Sequence, residues 1–209
     1  MTKTGPFDKY PSRYEEWFDR NKYVYQSELN AVRELLPKEG RGVEIGVGTG
    51  RFAAPLGIGC GVEPSAEMAG LAGKKGIEVI RGAAEKLPLD DGSFDFALMV
   101  TTVCFLDDVE DAFSEAHRIL KPGGSFVAGF VDKQSRLGKL YQLRKERSRF
   151  YGEAVFYSAA EVISYLMRAG FRDFESVQTL FSDLSEVDSI EPVREGFGEG
   201  SFVVLRGLK

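Results

Sequence analysis

Three glycines at alternate positions, Gly46, Gly48 and Gly50, mark the part of the chain whose residue types point most directly to chemistry. They follow the apolar residues 43–45, and the pattern predicts a strand that runs into a tight turn and then a helix. Glycine permits sharp turns and lets backbone N–H groups approach a bound molecule without interference from a Cβ atom. The spacing therefore predicts a backbone-lined ligand site at the end of the first strand.

An acidic residue beside this turn indicates the kind of ligand. Glu44 lies just before the glycines, where its carboxylate can meet a positive group, and Arg51 stands where the dinucleotide-binding fingerprint needs its third glycine. A nucleotide with a cationic tail fits these residues better than a pyrophosphate does, so S-adenosylmethionine (SAM) is the predicted cofactor. One alternative is a tight strand–helix turn without a ligand; separately, Glu44 could cap backbone N–H groups in the turn instead of contacting the ligand.

Composition and charge limit the class of protein. The 209 residues are 43% hydrophobic and carry a net charge of −5, which is typical of a globular chain and not of a nucleic-acid binder. Cys60 and Cys104 lie in apolar segments without metal-ligand spacing, so we expect neither a disulfide nor a metal site. No apolar run approaches the roughly 18 residues of a membrane span, and we expect a cytoplasmic protein.

Alternating strand and helix patterns surround the glycine turn. Strands are predicted at residues 43–46, 57–62, 76–80, 94–100 and 125–130, and helices at 14–36, 66–72 and 107–120. This alternation predicts βαβ units in a parallel sheet. Ligands bind such sheets beyond the carboxyl ends of the strands, so we expect the four loops after the first four strands to meet at one site.

The chain changes in character after residue 131. Residues 132–150 hold seven basic and two acidic side chains, which predicts either a solvated helix face or a lid that attracts an anionic acceptor. A helix is predicted at 158–169, with Ser158 as its N-cap. Residues 174–181 and 201–208 are predicted strands, and the long polar link between them favours an antiparallel pair at the sheet edge.

Five segments in one order resemble the class I SAM-dependent methyltransferases, especially the ubiquinone/menaquinone-biosynthesis branch. They are VEIGVGTGRF at 43–52, GVEPS at 61–65, AEKLP at 84–88, DGSFD at 91–95 and EAHRILKPGG at 115–124. The resemblance implies an α/β, Rossmann-like fold. Its seven-stranded, mostly parallel sheet would have helices on both faces and a C-terminal antiparallel hairpin.

The resemblance also implies roles for individual residues around SAM. Glu63 would accept hydrogen bonds from both ribose hydroxyls, and Glu44 would face the ammonium group directly or through a water. Ala83 stands where the family often has an aspartate that holds the adenine amino group, so that contact must come from the backbone or from Glu85, or be missing. The remaining predicted cofactor contacts are Gly46, Gly48, Thr49, Gly50, Pro64, Ala84, Val100 and Thr101.

The acceptor side is predicted less specifically. Tyr14, Trp17 and Phe18 in the N-terminal helix are the predicted substrate contacts, although aromatic residues at this spacing are also typical of helix core. Asp107 and Asp108 are the candidate bases, required only if the acceptor must lose a proton before attack. The remaining two candidates, His117 and Cys104, are expected to be structural, as a residue on the sheet flank and a small buried residue.

The sequence thus predicts one SAM-dependent methyltransferase domain over residues 1–209. Its parts would be an N-terminal helical cap (1–37), a SAM-binding core (42–130), a lid or substrate insertion (131–157) and a C-terminal helix and hairpin (158–209). The predicted reaction is direct SN2 transfer to a small-molecule acceptor, which leaves S-adenosylhomocysteine (SAH). We expect a monomer or homodimer without a nucleic-acid partner. The alternatives are a SAM-binding regulatory module, a nicotinamide-dependent oxidoreductase and a nucleic-acid methyltransferase.

Overall fold

The computed structural model describes residues 4–209, and an eight-stranded sheet runs through this part of the chain. Residues 1–3 of the predicted N-terminal cap lie outside the described residues. The strands are β1 (Gly42–Ile45), β2 (Cys60–Glu63), β3 (Glu78–Arg81), β4 (Phe94–Val100), β5 (Leu120–Val131), β6 (Arg172–Thr179), β7 (Arg194–Glu195) and β8 (Phe202–Leu208). Their spatial order is β3-β2-β1-β4-β5-β8-β6-β7.

The strand directions confirm the predicted α/β fold. Strands β1 to β5 pair in parallel, whereas β6, β7 and β8 pair antiparallel to their neighbours. The two-residue edge strand β7 brings the predicted seven strands to eight. Strand β5 begins at Leu120, directly after a helix, and so includes the residues 121–124 that were predicted to lie between the two elements.

Seven α-helices accompany the sheet within residues 4–209. They are α1 (Gly5–Lys9), α2 (Pro11–Arg20), α3 (Lys22–Leu35), α4 (Ala66–Lys74), α5 (Val109–Ile119), α6 (Arg136–Leu143) and α7 (Ala159–Arg168). The single helix predicted over 14–36 is two helices, because the backbone of Asn21 leaves the helical region and its side chain donates to the Trp17 carbonyl at 2.8 Å. The predicted N-cap Ser158 is confirmed and forms a capping box with Glu161.

Two clusters of hydrophobic side chains cover the two faces of the sheet. On one face, the cluster around α5 and α7 includes Phe113, Phe126 and Leu166. On the other face, Leu29 and Val32 of α3 belong to a second cluster. Both faces of the sheet are covered, so a ligand site is expected among the loops at the carboxyl ends of its parallel strands. Along residues 4–209, no helix combines the length and apolarity needed to cross a membrane.

Candidate active site

A cavity of about 220 Å³ lies at the carboxyl ends of the parallel strands. Residues at the ends of β1 to β5 contribute to its floor, and the loops after β1 to β4 are the four that were predicted to meet here. The floor residues are Gly46, Gly48, Glu63, Pro64, Gly82, Ala84, Glu85, Val100, Thr101, Thr102 and Val131. The other walls come from helices α1 to α3 and from the chain around residues 137–151.

The glycine turn keeps the cavity open. Gly46 and Gly48 have φ angles of +72° and +54°, which favour glycine over other residues. A Cβ atom on Gly46 would lie 2.4 Å from the Thr102 hydroxyl oxygen, so this glycine permits close packing of β1 against the β4 loop. A Cβ atom on Gly48 would lie 3.7 Å from the Tyr14 hydroxyl oxygen and would occupy cavity space.

Glu63 holds a fixed position in the cavity wall. Its Oε2 accepts a hydrogen bond from the Gly48 N–H and its Oε1 accepts one from the Ser65 N–H, both at 2.8 Å. Burial raises the pKa of Glu63, while these two backbone donors oppose the rise. Each carboxylate oxygen keeps further acceptor capacity, so the group can receive two hydroxyls from a ligand.

Three of the predicted cofactor contacts, Glu44, Thr49 and Gly50, lie behind the cavity wall and not in it. Glu44 is 2% exposed and accepts a backbone hydrogen bond from Ala53, and burial raises its pKa well above the usual range. Its Oε2 has no partner among residues 4–209. Glu44 thus adopts the backbone-capping arrangement, whereas Gly50 makes room for Ile77.

Thr49 and Arg51 connect the glycine turn to the N-terminal helices. The Glu15 carboxylate of α2 accepts a hydrogen bond from the Thr49 hydroxyl, pairs with Arg51 at 2.8 Å and pairs with Lys75 at 3.3 Å. We call these four residues the cap clamp. Arg51 stands where a dinucleotide-binding site has its third glycine, and here it has a structural role, because it pairs with Glu15 of α2.

Aromatic side chains from three separate segments form the upper wall of the cavity. The predicted substrate contacts Tyr14, Trp17 and Phe18 all line it. Phe7 lies 5.0 Å from Phe105 between ring centroids, and the Tyr141 and Tyr151 rings stack at 4.8 Å. The aromatic roof comprises Phe7, Tyr14, Trp17, Phe18, Phe105, Tyr141, Phe150 and Tyr151. Five of these were not predicted from the sequence, because no local pattern links them.

The basic segment contributes its apolar side to this roof. Leu137, Tyr141 and Phe150 line the cavity, whereas none of its seven basic side chains, all within the described residues, does so. Arg136 pairs with Asp183 at 2.5 Å and Lys133 pairs with Glu161 at 3.0 Å. The arrangement favours the solvated-face interpretation over attraction of an anionic acceptor.

The structure does not bring the two predicted bases to the cavity. Asp108 caps α5 by accepting hydrogen bonds from the N–H groups of Glu110 and Asp111, at 2.9 and 3.1 Å. The Asp107 N–H donates to Oε1 of Glu85 at 2.8 Å, and neither aspartate is among the cavity-lining residues. The two residues directly precede α5, and Asp108 serves as its N-cap.

The two remaining candidates have structural surroundings. His117 lies on α5, edge-on to the Phe171 ring at 5.1 Å, on the flank of the sheet as expected. Cys104 lines a separate cavity of about 10 Å³ and its Sγ lies 3.5 Å from the Thr101 carbonyl oxygen. Thr101 itself has a φ of +51°, an uncommon conformation for a β-branched residue, and such local strain clusters at functional sites.

A carboxyl group that sequence analysis did not single out also lines the cavity. Glu28 of α3 is 5% exposed. Burial alone raises its pKa to about 8. It belongs to the polar stretch Gln26-Ser27-Glu28, which gives no sign in the sequence that the third residue is buried.

Several known proteins are similar to this chain over the residues that form the site. A family model described as a methyltransferase domain matches residues 43–128. A crystal structure of a SAM-dependent methyltransferase from Thermotoga maritima, described as a possible histamine N-methyltransferase, is 56% identical, with a TM-score of 0.97 over 99% of each chain. An uncharacterized Methanocaldococcus jannaschii protein is 47% identical over 97% of this chain and 98% of its own length. The demethylmenaquinone methyltransferase of Chlorobaculum tepidum is 34% identical over 50% of this chain and 47% of its own length.

Proposed function

This chain belongs to the SAM-dependent methyltransferases, and from that premise we propose that it methylates a small-molecule acceptor held beneath the aromatic roof. The observation that carries the proposal is the enclosure of the cavity by aromatic side chains from three segments. Such a roof accommodates a small molecule and excludes a folded RNA or protein surface. It also removes water from the place where the methyl group would be transferred.

The residues on the floor of the cavity fit SAM. We assign Glu63 to the two ribose hydroxyls, because its carboxylate faces the cavity and both of its oxygens keep acceptor capacity. Ala84 and Glu85 would border the adenine, and Val100 and Thr101 would border the amino-acid end. Glu44, whose Oε2 is buried without a partner, would serve the ammonium group through a water.

The chemistry needs little from the protein beyond positioning. When bound, SAM supplies a methyl group on a sulfonium, which is already a strong electrophile. The roof would orient the acceptor atom in line with the S–CH₃ bond and keep water away from it, which is catalysis by proximity and orientation. A base is required only where the acceptor atom carries a proton that blocks its lone pair.

Amines are the first acceptors to test. The Thermotoga maritima relative, described as a possible histamine N-methyltransferase, shares 56% of its sequence with this chain. The cavity lining also carries three carboxyl groups, on Glu28, Glu63 and Glu85, but a single basic side chain among the described lining residues, that of Arg13. This balance suits a basic acceptor better than an acidic one.

Methyl-labelled SAM tests the proposal. The full chain would be incubated with separate pools of small amines, phenols and carboxylates, with bulk tRNA and with a protein extract. We expect label in a small-molecule product and an equal amount of SAH. Label found only in tRNA or protein would contradict the proposal. Tight SAM binding without SAH formation in any pool would instead favour a regulatory module.

A further inference from the structure

The Glu28 carboxyl group is buried without a partner. Within residues 4–209, no side chain or backbone group donates a hydrogen bond to it or forms an ion pair with it. It is 5% exposed, and what remains accessible faces the cavity. A buried polar group that lacks a hydrogen bond costs free energy, and native structures rarely keep one without a reason. Glu28 therefore requires an explanation that packing alone does not give.

Glu28 and Glu63 line the same cavity but belong to elements that lie at different parts of the sheet. It belongs to α3, which packs against β5, β6 and β8. Glu63 ends β2, which is separated from β5 by β1 and β4 in the sheet order. Neighbouring strands are about 4.8 Å apart, so the ends of β2 and β5 are separated by roughly 14 Å. A separation of this size between the two elements is compatible with a cofactor near Glu63 and an acceptor near Glu28.

The groups that face Glu28 are aromatic and neutral. Burial raises the pKa values of Tyr14 on α2, Tyr141 on α6 and Tyr151 in the following loop, and the negative charge of Glu28 adds to each rise, so all three phenols lie near it. Arg13 also lines the cavity but its side chain is exposed to solvent. A carboxyl group among aromatic rings suits a cation, because the ring faces attract positive charge and the carboxylate pairs with it.

We propose that Glu28 is the acceptor-binding residue of this enzyme, which holds the nitrogen of a primary or secondary amine and takes the proton that this nitrogen must lose before it is methylated. The inference rests on the proposed function, since it assumes that the acceptor occupies this cavity.

The proton and electron pairs balance in this step. An amine enters as its ammonium form and pairs with the Glu28 carboxylate, which then accepts one N–H proton and frees the nitrogen lone pair. The lone pair forms the N–CH₃ bond while the S–CH₃ bond breaks and its electrons stay on sulfur, which gives SAH. The methylated nitrogen leaves with its positive charge, and Glu28 returns the proton to water. With its pKa near 8, Glu28 is a stronger base than an exposed carboxylate.

The first test measures binding of probe acceptors to the full chain saturated with SAH. 2-Phenylethylamine and histamine are the amine probes, and 2-phenylethanol is the neutral control of matched shape. We expect 2-phenylethylamine to bind about 10- to 150-fold more tightly than the alcohol, since it gains a charged hydrogen bond. Its binding should tighten between about pH 6 and 8 as Glu28 loses its proton, by up to roughly tenfold per pH unit.

Substitutions in helix α3 test whether the preference for amine over alcohol depends on Glu28. Glu28→Gln keeps the side-chain volume and should abolish both the preference for amine over alcohol and its pH dependence, while SAH binds as before. Glu28→Asp keeps the charge and should retain part of both. The matched control is Glu34→Gln, an exposed carboxylate on the same helix with no role in the cavity.

The outcomes separate this inference from the proposed function. Failure of both amines to bind, or amine binding that Glu28→Gln leaves unchanged, overturns the role of Glu28 even if methyl transfer to some other small molecule is observed. Equal loss of SAH and amine binding in Glu28→Gln overturns it too, because a local role predicts loss of the amine alone. Amine binding that depends on Glu28, in an enzyme that methylates only RNA or protein, would instead overturn the proposed function.

Discussion

Glu63 and Glu28 are two buried carboxyl groups in one cavity, and they differ in their hydrogen-bond partners. We use this difference to assign a separate role to each. Glu63 is held by the N–H groups of Gly48 and Ser65, so its geometry is fixed before a ligand arrives. Glu28 has no such donors and is free to pair with a group that the ligand brings. A preorganised acceptor suits a ribose diol, whereas an unpartnered carboxyl suits an N–H donor.

At Gly48, a single added methyl group should interfere with the cofactor. Gly48→Ala places a Cβ in the cavity at a φ of +54°. We expect SAH binding to weaken by at least about tenfold and the free energy of unfolding to fall by roughly 1–2 kcal/mol. Calorimetric titration and urea unfolding measure the two effects. Gly59→Ala is the control, because its Cβ would meet open space at an ordinary φ, and equal effects in both variants would contradict the account.

The residues of the cofactor site were predictable because they occur in motifs. Glu63 ends a recognisable strand and Gly48 sits in a glycine turn, and both line the cavity where expected. Glu28 lies in no motif. Tyr141 and Tyr151, which line the same cavity and lie near Glu28, come more than 100 residues later in the chain. No local pattern carries such information.

At the scale of elements, the cap clamp determines how α2 sits over the cavity. Glu15 connects this helix to the glycine turn through Thr49 and Arg51 and to the end of α4 through Lys75. Helix α2 also carries Tyr14 and Phe18 of the aromatic roof. The position of the roof is therefore coupled to the loop that we assign to the cofactor.

Removal of the clamp charge should loosen α2. Glu15→Gln leaves Arg51 and Lys75 without their shared partner, and we expect the free energy of unfolding to fall by about 1–2 kcal/mol. SAH should dissociate faster, as measured by stopped-flow fluorescence of Trp17. The control is Glu16→Gln, whose exposed pair with Arg20 is worth less than about 0.5 kcal/mol. Indistinguishable variants would show that the clamp does not hold the roof.

The elements themselves were predicted unevenly. The parallel strands and α5 were predicted because their apolar runs and helical faces are strongly periodic. The break at Asn21 was not predicted, since the apolar pattern continues from α2 into α3. The segment around α6 was predicted from its charges, but its apolar side faces the cavity and its charged side faces solvent. Charge alone does not show which side is buried.

At the scale of the whole molecule, the buried carboxyls make stability depend on pH. Burial raises the pKa of Glu28 from 4.5 to about 8, and it also raises the pKa values of Glu44 and Glu63. The folded state therefore binds more protons than the unfolded chain across this range. The stabilisation that results is complete below about pH 4.5 and is lost as the pH rises toward 8.

We expect the ligand-free protein to lose roughly 1–4 kcal/mol of unfolding free energy between about pH 5.5 and 8. Carboxyls with lowered pKa values, such as those of Glu15 and Glu115, titrate below this window and do not offset the loss. Glu28→Gln cannot release a proton and should show a shallower decline. Urea unfolding at several pH values measures both slopes, and parallel slopes would contradict the burial of an unpaired carboxyl at Glu28.

One cavity with a cofactor end at Glu63 and an acceptor end at Glu28 predicts different effects of changing the two carboxyl groups. Calorimetric titration of SAH into the wild type, Glu63→Ala and Glu28→Gln measures both effects. We predict micromolar binding to the wild type, about −8 kcal/mol. Glu63→Ala should bind about 10- to 150-fold more weakly, and Glu28→Gln should bind as the wild type does. Unchanged binding in Glu63→Ala, or an equal loss in both variants, would contradict the division of the cavity.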